Sequence, residues 1–138
     1  MKKKLLVMGL PGAGKTFLSK SLSKKLDAVW LNADKIRKEF NDWDFSLEGR
    51  LRQSKRMNDL ADENVKKGRF VIADFVCPTE KTRKNFNADY LIWVDTIQKG
   101  RFENTNLIFE PPKKFDFRVT SQNAEFWAEK IIENLNKN

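Results

Sequence analysis

Residues Gly9-Leu10-Pro11-Gly12-Ala13-Gly14-Lys15-Thr16 match the pattern G-x-x-x-x-G-K-[S/T], which is the most specific indication of the fold in this chain. The apolar run at residues 5–8 precedes it and has the character of a buried strand. Apolar side chains at helical spacing follow it: Phe17, Leu18, Leu22 and Leu26. Glycines in such a loop let successive backbone N–H groups point at phosphate oxygens, and the helix start adds the positive end of its dipole. The stretch therefore predicts a site for a nucleoside triphosphate.

The loop residues have separate expected roles in that site. Lys15 would reach the β- and γ-phosphates, and the hydroxyl of Thr16 would bind a magnesium ion. The residues expected to contact the nucleotide are Gly12, Ala13, Gly14, Lys15, Thr16 and Phe17. A glycine-rich turn without a ligand is the alternative, but the strand before it and the helix after it favour a phosphate loop. We expect ATP and Mg²⁺ as ligands, with the base near residues 117–120.

Length and composition limit the remaining choices. The chain of 138 residues is long enough for one domain, so residues 1–138 are expected to share one core and any substrate site. One cysteine and no histidine exclude an intrachain disulfide and argue against a zinc site. The net charge of +8 favours anionic partners, either nucleotides or nucleic acid, and does not by itself choose between them. We expect a small nucleotide as the substrate ahead of a nucleic acid. No apolar stretch approaches the roughly 20 residues of a membrane span, so we expect a cytoplasmic protein without a membrane partner. The sequence leaves a homodimer open.

Apolar runs alternate with helical patterns along the chain, which is typical of a parallel sheet between two layers of helices. Strands are predicted at residues 5–8, 28–31, 70–73, 90–94 and 117–119. Helices are predicted at residues 15–26, 34–40, 46–67, 79–86 and 122–135. The tryptophans within these patterns, for which core packing is favoured over base stacking, are Trp30, Trp93 and Trp127. The sequence thus predicts an α/β, three-layer P-loop NTPase fold with a five-stranded parallel sheet and helices on both faces.

Residues that follow each strand are the candidates for chemistry, because ligands bind beyond the carboxyl ends of the strands in such a sheet. Asp34 and Arg37 follow the second strand, three residues apart and on one face of the helix that they open. Asp34 could accept the proton of an acceptor hydroxyl or orient water on magnesium, and the N-cap of the helix is its structural alternative. Asp74 follows the third strand, where a carboxylate could bind the magnesium ion of the loop.

Two further features have competing interpretations. The long helix carries a basic cluster, and Arg50, near the helix start, is its candidate for binding a phosphate or sulfate group. The other members of the cluster, interpreted as a solvated face, are Arg52, Lys55 and Arg56. Cys77 has no partner residues for nucleophilic catalysis and is interpreted as a small packing residue.

These motifs together resemble the adenylylsulfate kinases, P-loop kinases that phosphorylate the 3′-hydroxyl of adenosine 5′-phosphosulfate (APS). Members have D-G-D-N-V-R after the second strand, where this chain has Asn32-Ala33-Asp34-Lys35-Ile36-Arg37. The family's G-F-S and V-D-T correspond to Asp44-Phe45-Ser46 and Val94-Asp95-Thr96, and its F-I-S-P-x-R-x-x-R corresponds to residues 75–83. Phe109-Glu110-Pro111-Pro112 is similar to the family's Y-E-x-P. The resemblance touches most of the chain in the same order.

The resemblance implies roles for individual residues. Asp34 would be the catalytic carboxylate beside the acceptor hydroxyl, with Lys15 and Arg37 completing the catalytic set. Arg37 and Arg50 would contact the phosphosulfate, and Phe45 would stack on the adenine. The residues whose backbone would also contact the substrate are Val76, Cys77 and Pro78. The implied activity is transfer of the γ-phosphoryl group of ATP to a hydroxyl of APS or a related small nucleotide.

The chain departs from the family pattern at several places. Asn32 stands for the first aspartate of the D-x-D motif, Gln53 for a helix asparagine and Glu80 for an arginine. The segment after Thr96 is much shorter than the family's basic lid. The cations that could replace the lid charge, or lie in a solvated turn, are Lys99 and Arg101. A shortened lid leaves two alternatives open: a kinase for a nucleic-acid end or modified base, and a nucleotide-binding module without catalysis.

Overall fold

A parallel five-stranded sheet lies at the centre of the computed structural model, which describes residues 3–136. The strands are β1 (Lys4–Met8), β2 (Val29–Asn32), β3 (Val71–Asp74), β4 (Tyr90–Val94) and β5 (Phe117–Val119). They lie in the order β2-β3-β1-β4-β5, and every neighbouring pair is parallel. The predicted sheet is confirmed, and β1, which leads into the phosphate loop, is its central strand.

Helices connect and cover these strands. They are α1 (Lys15–Leu26), α2 (Ala33–Phe40), α3 (Leu47–Lys66), α4 (Glu80–Phe86), α5 (Glu103–Ile108) and α6 (Ala124–Leu135). The side chains of Asn32, Ser46 and Thr79 accept hydrogen bonds from backbone N–H groups in the first turns of α2, α3 and α4. Because of these caps, each of the three helices begins one residue away from its predicted start.

The sequence patterns do not predict helix α5. Its residues, ENTNLI, are too few to show an apolar period, and no side chain caps its first turn. Tertiary contacts hold it instead: Arg50 Nη2 donates to Thr105 Oγ1 at 3.0 Å. Gly100 and Asn106 exchange two hydrogen bonds, of 2.8 and 2.9 Å, across the turn that precedes the helix.

The two faces of the sheet are covered by different helices. Leu5 and Val7 of β1 belong to a buried core with α1 and α6, whereas Leu6 and Met8 belong to a second core with α2, α3 and α4. This division follows from the alternation of side chains along a strand. The predicted three-layer α/β fold is confirmed. Within residues 3–136, none of the helices is long and apolar enough to cross a membrane.

Candidate active site

The phosphate loop, residues 9–16, leaves the end of β1 and runs into α1. Gly14 is the N-cap residue of α1 and has a φ of 105°, a left-handed conformation that residues with a Cβ atom rarely adopt. Gly9 lies against β4, where an added Cβ atom would come within 2.5 Å of Val94 O. Glycine is thus required at two positions for different reasons: Gly14 makes the left-handed turn into the helix, and Gly9 approaches the neighbouring strand closely.

Lys15 lies in the first turn of α1, and its Nζ donates to Leu10 O at 3.0 Å. Burial lowers the pKa of Lys15, the carboxylates of Asp74 and Asp34 oppose that shift, and the guanidinium of Arg101 adds to it. Charged side chains from four segments therefore act on one another at the carboxyl edge of the sheet. Arg101, a candidate for replacing the lid charge, is one of them.

Asp74 is the last residue of β3 and is 3% exposed. Trp30 Nε1 and Asn32 Nδ2 donate to its Oδ2 at 3.4 and 3.3 Å. Burial raises the pKa of Asp74, and the positive charge of Lys15 opposes that rise. Carboxylate and hydroxyl oxygens are ligands that Mg²⁺ prefers, so Asp74 and Thr16 are chemically suited to hold that ion.

Asp34 is an exposed residue in the first turn of α2. The N-cap alternative for Asp34 is wrong, because Asn32 is the N-cap residue and its Oδ1 accepts from the Lys35 N–H at 3.1 Å. Gln53 Nε2 donates to Ala33 O at 3.2 Å. Two residues that depart from the family pattern, Asn32 and Gln53, thus hold the start of α2, and the Asp34 carboxylate is not needed to cap it.

The Arg37 guanidinium lies against the turn that follows α2 and is 4% exposed. Its Nη1 donates to the carbonyls of Asp42 and Asp44 at 2.9 and 3.2 Å. Its Cζ lies 4.2 Å from the centroid of the Phe45 ring, a cation–π contact. Burial lowers the pKa of Arg37, and the carboxylate of Asp42 opposes that shift. Arg37 therefore holds the turn and supports Phe45, a role that the sequence does not indicate.

Arg50 and Phe45 line a cleft between the start of α3 and α5. The cleft has a volume of about 280 Å³, and its other lining residues are Ser46, Leu47, Asn104, Leu107 and Ile108. Arg50 Nε donates to Phe45 O at 3.0 Å, and Arg50 Cζ lies 5.4 Å from the centroid of the Phe45 ring. The Phe45 side chain is 50% exposed. The structure thus brings three predicted substrate residues, Arg37, Phe45 and Arg50, together around one aromatic ring.

The loop after β3 contains the predicted substrate-contacting segment, residues 76–78. The carbonyls of Cys77 and Pro78 accept hydrogen bonds from Arg83 Nε and Nη2, both at 3.2 Å. Pro78 O also accepts from the Glu110 N–H at 2.7 Å. Cys77 belongs to the buried core, as its packing interpretation requires. Pro78 has no backbone N–H and its carbonyl already accepts two hydrogen bonds, so a backbone hydrogen bond to the substrate would fall to Val76 or Cys77.

The basic cluster of α3 differs from its predicted solvated face. Arg56 is 15% exposed at its side chain and donates to Asp42 Oδ2 at 2.8 Å, so that interpretation is wrong for Arg56. Arg52 is more exposed but pairs with Asp42 at 2.7 Å and with Asp44 at 3.2 Å. Hydrogen bonds from Arg52 and Arg56 hold the pKa of Asp42 well below its usual range. Lys55 is exposed, as expected.

A second cleft, of about 340 Å³, adjoins the phosphate loop at the end of β5. Its lining residues include Gly14, Phe17, Val119 and Gln122, so it lies where the sequence places the nucleotide base. Gln122 Nε2 donates to the carbonyls of Gly12 and Ala13, both at 3.4 Å. The sequence does not indicate this tether, since Gln122 lies far from the loop along the chain.

The fold is that of the P-loop kinases. It is defined by the strand order and by the phosphate loop after the central strand, and charged groups lie at the carboxyl edge of the sheet. The sequence profile of the AAA domain family matches residues 5–88. The chain therefore belongs to that family. No curated protein matches the chain by sequence.

Solved structures of several kinases share this fold. The Mycobacterium tuberculosis APS kinase CysC, in complex with AMPPNP and APS, is 20% identical, with a TM-score of 0.82 over 98% of each chain. A sugar kinase from Janibacter sp. is 14% identical, with a TM-score of 0.74 over 99% of this chain and 95% of that chain. The Acinetobacter baumannii shikimate kinase, in complex with shikimate, is 18% identical, with a TM-score of 0.64 over 97% of this chain and 93% of that chain. The fold expected from the resemblance to adenylylsulfate kinases is confirmed.

Proposed function

We propose that this chain is an ATP-dependent kinase that transfers the γ-phosphoryl group to a hydroxyl of a small anionic acceptor. The observation that carries the proposal is the placement of Lys15, Asp74 and Asp34 at the carboxyl ends of three neighbouring strands, β1, β3 and β2. The charges of both carboxylates oppose the lowering of the Lys15 pKa by burial. Phosphoryl transfer depends on positioned charge of this kind. One domain would hold both the donor and the acceptor.

The donor side of the site would be built on the phosphate loop. The loop amides and the Lys15 ammonium would offset the negative charge of the triphosphate. Thr16 and Asp74 would hold Mg²⁺, which when bound neutralises charge on the β- and γ-phosphates. Since no cluster of three or more His, Cys, Asp or Glu side chains occurs in the described part of the chain, phosphate and water would supply its other ligands.

On the acceptor side, Asp34 would take the hydroxyl proton. The acceptor oxygen forms a bond to the γ-phosphorus as the bond between that phosphorus and the β,γ-bridging oxygen breaks, which yields ADP and a phosphomonoester. The proton passes to Asp34 and then to water. The exposed position of Asp34 in the first turn of α2, with no part in the helix cap, supports this role.

The group formed by Arg37, Phe45 and Arg50 supports an acceptor with a planar ring and an anionic group. A ring could stack on the half-exposed Phe45, and the Arg50 guanidinium, which lines the cleft, would favour phosphate or sulfate. Arg37, which is buried and bonded to the turn after α2, would hold Phe45 in place for that contact. APS, or a related nucleotide, has both features and is the acceptor that we propose first. The backbone at Val76, Cys77 and Pro78 is proposed as a further neighbour of the acceptor.

A direct assay tests this proposal. The protein is incubated with magnesium ATP and APS, and phosphorylated product is measured by mass spectrometry. We expect product with the wild-type protein, a loss of triphosphate affinity in Lys15→Ala, and a kcat lower by about a hundredfold or more in Asp34→Asn. Glu39→Gln, an exposed carboxylate on the same helix, is the matched control and should keep wild-type turnover.

The outcomes separate the parts of the proposal. Full turnover in Asp34→Asn would overturn the role of its carboxylate. Nucleotide binding without product from APS, shikimate or sugars would overturn the small-acceptor activity and favour a binding module without catalysis. Product with shikimate or a sugar but not with APS would support the proposed kinase activity and overturn APS as its acceptor.

A nucleic-acid end is the second candidate acceptor, and two observations favour it. The net charge is +8. Trp43 and Phe45, each 50% exposed, flank the turn before α3, and exposed aromatic rings stack on unpaired bases. An oligonucleotide with a 5′-hydroxyl, added to the same assay, tests this candidate, and its binding should weaken steeply with added salt.

A further inference from the structure

The carbonyl of Ala13, inside the phosphate loop, accepts hydrogen bonds from two side chains. Thr96 Oγ1, just beyond β4, donates to it at 2.6 Å. Gln122 Nε2, beyond β5, donates to it at 3.4 Å. The short bond from Thr96 is the stronger of the two, because hydrogen bonds weaken as they lengthen. The loop is thus tied to the ends of two neighbouring strands through one carbonyl.

This bond sets the direction of the next backbone N–H. The peptide between Ala13 and Gly14 is trans, so its C=O and its N–H point in opposite directions. With the carbonyl of Ala13 held toward Thr96, the N–H of Gly14 points away from Thr96. Gly14 is the N-cap residue of α1 and directly precedes Lys15, so its N–H belongs to the set that a helix start presents to an anion.

The residue before Thr96 is anchored to β5. The N–H of Asp95 donates to Val119 O at 2.8 Å, and the carboxylate of Asp95 accepts from Arg118 Nη2 at 2.7 Å. Thr96 therefore follows a residue that is bonded to β5 through both its backbone and its side chain. A donor placed in this way holds the peptide plane of the loop before a ligand arrives, which lowers the ordering cost of binding.

We propose that Thr96 is a positioning residue for the triphosphate: its hydroxyl holds the Ala13 carbonyl so that the Gly14 N–H is aimed at the phosphates. This inference rests on the proposed function, because it assumes that the loop binds a triphosphate. Gln122 has the same role with less effect, since its two bonds to the loop are long. Thr96 does not contact the reacting atoms in this proposal and acts only through the loop.

The test uses Thr96→Val, which keeps the shape of the side chain and removes its hydroxyl, and Thr96→Ser, which keeps the hydroxyl. Affinity for magnesium ATP and for inorganic tripolyphosphate is measured by calorimetry. We expect Thr96→Val to bind both about tenfold more weakly and Thr96→Ser to bind within about twofold of the wild type. Ser23→Ala is the matched control, because it removes a hydroxyl-to-carbonyl bond of 2.9 Å within α1, away from the loop.

A second readout follows the Gly14 amide itself. In the wild type, tripolyphosphate should shift the Gly14 ¹H–¹⁵N resonance downfield, as a new hydrogen bond to an anion does, and the shift should be smaller in Thr96→Val. A purely structural role of Thr96 would lower the melting temperature without this selective loss. If Thr96→Val does not fold, Thr96→Ala takes its place, and the wild-type Gly14 shift is measured in either case.

Each outcome has a definite meaning. Wild-type affinity in Thr96→Val would overturn this inference alone, as would equal losses in the Val and Ser variants or a Gly14 resonance that tripolyphosphate leaves unmoved. A wild-type chain that binds neither ligand would overturn this inference and the proposed function together. Intact binding without phosphoryl transfer to any acceptor would overturn the proposed function and leave the role of Thr96 standing.

Discussion

Lys15 and Asp74 lose water on folding, and burial moves their pKa values in opposite directions. Burial lowers the pKa of Lys15 and raises that of Asp74, because in each case it disfavours the charged form. Each charge opposes the shift of the other. Burying these charges costs folding free energy, and in the proposed function a triphosphate and a magnesium ion would supply further partners for both groups.

Cys77 is held in the neutral thiol form by burial. It is 1% exposed, and burial raises its pKa to about 12. We expect iodoacetamide at pH 8 to leave Cys77 of the folded protein unmodified, because the thiolate fraction falls by about tenfold for each unit that the pKa rises. Mass spectrometry before and after unfolding in urea measures this difference. Rapid alkylation of the folded protein would contradict the burial of Cys77.

Short helices of this fold depend on side chains that bind distant backbone groups. Helix α4, Glu80–Phe86, has seven residues and is too short to be stable alone. Its Arg83, which is 6% exposed, donates to the carbonyls of Cys77, Pro78 and Glu110. Arg83 therefore joins three segments: the loop after β3, helix α4 and the segment after α5.

Loss of this junction should destabilise the protein. Arg83→Met removes the hydrogen bonds to the Cys77 and Glu110 carbonyls, while Pro78 O keeps its bond from the Glu110 N–H. We therefore expect the free energy of unfolding to fall by about 2–3 kcal/mol. Lys84→Met, at an exposed neighbouring position of the same helix, should change it by less than about 0.5 kcal/mol. Urea denaturation of both variants measures the difference. Equal stability of the two variants would show that Arg83 does not join these segments.

Because contacts from several strands hold the phosphate loop, ligand binding there would be coupled to the folding of the whole molecule. The loop lies between β1, the central strand, and α1, which packs on one face of the sheet, and contacts from beyond β4 and β5 hold it. Unfolding therefore destroys the proposed nucleotide site. A ligand that binds only the folded chain stabilises it by mass action.

A thermal shift should report this coupling. Magnesium ATP at a hundred times its Kd should raise the free energy of unfolding by about 2.7 kcal/mol and, for a chain of this size, the melting temperature by roughly 9 °C. Lys15→Ala should lose most of the shift, and Lys20→Ala, at an exposed position of the same helix, should keep it. Scanning fluorimetry with and without magnesium ATP makes the comparison. An equal shift of the melting temperature in both variants would show that Lys15 does not contribute to binding of magnesium ATP.

Much of the candidate site follows from local patterns, and these were sufficient for the loop and for the parallel sheet. Gly14 has a left-handed φ, and Gly9 approaches β4 too closely for a Cβ atom. Both conditions require glycine at a fixed position of the loop, so they can be read from a short stretch of sequence. The N-cap of α2 was less clear, because Asn32 and Asp34 are both good caps and only the folded geometry distinguishes them.

Local sequence patterns predict the phosphate loop, the α/β class and the two helix-covered faces, because glycine conformation, apolar period and caps act over a few neighbouring residues. Long-range packing sets the order of the strands, the existence of α5, the burial of Arg37 and the contact of Thr96 with Ala13. Those features join residues that are far apart in the chain. Which residues contact each other there depends on how the sheet and its helices pack, and a local sequence pattern does not contain that information.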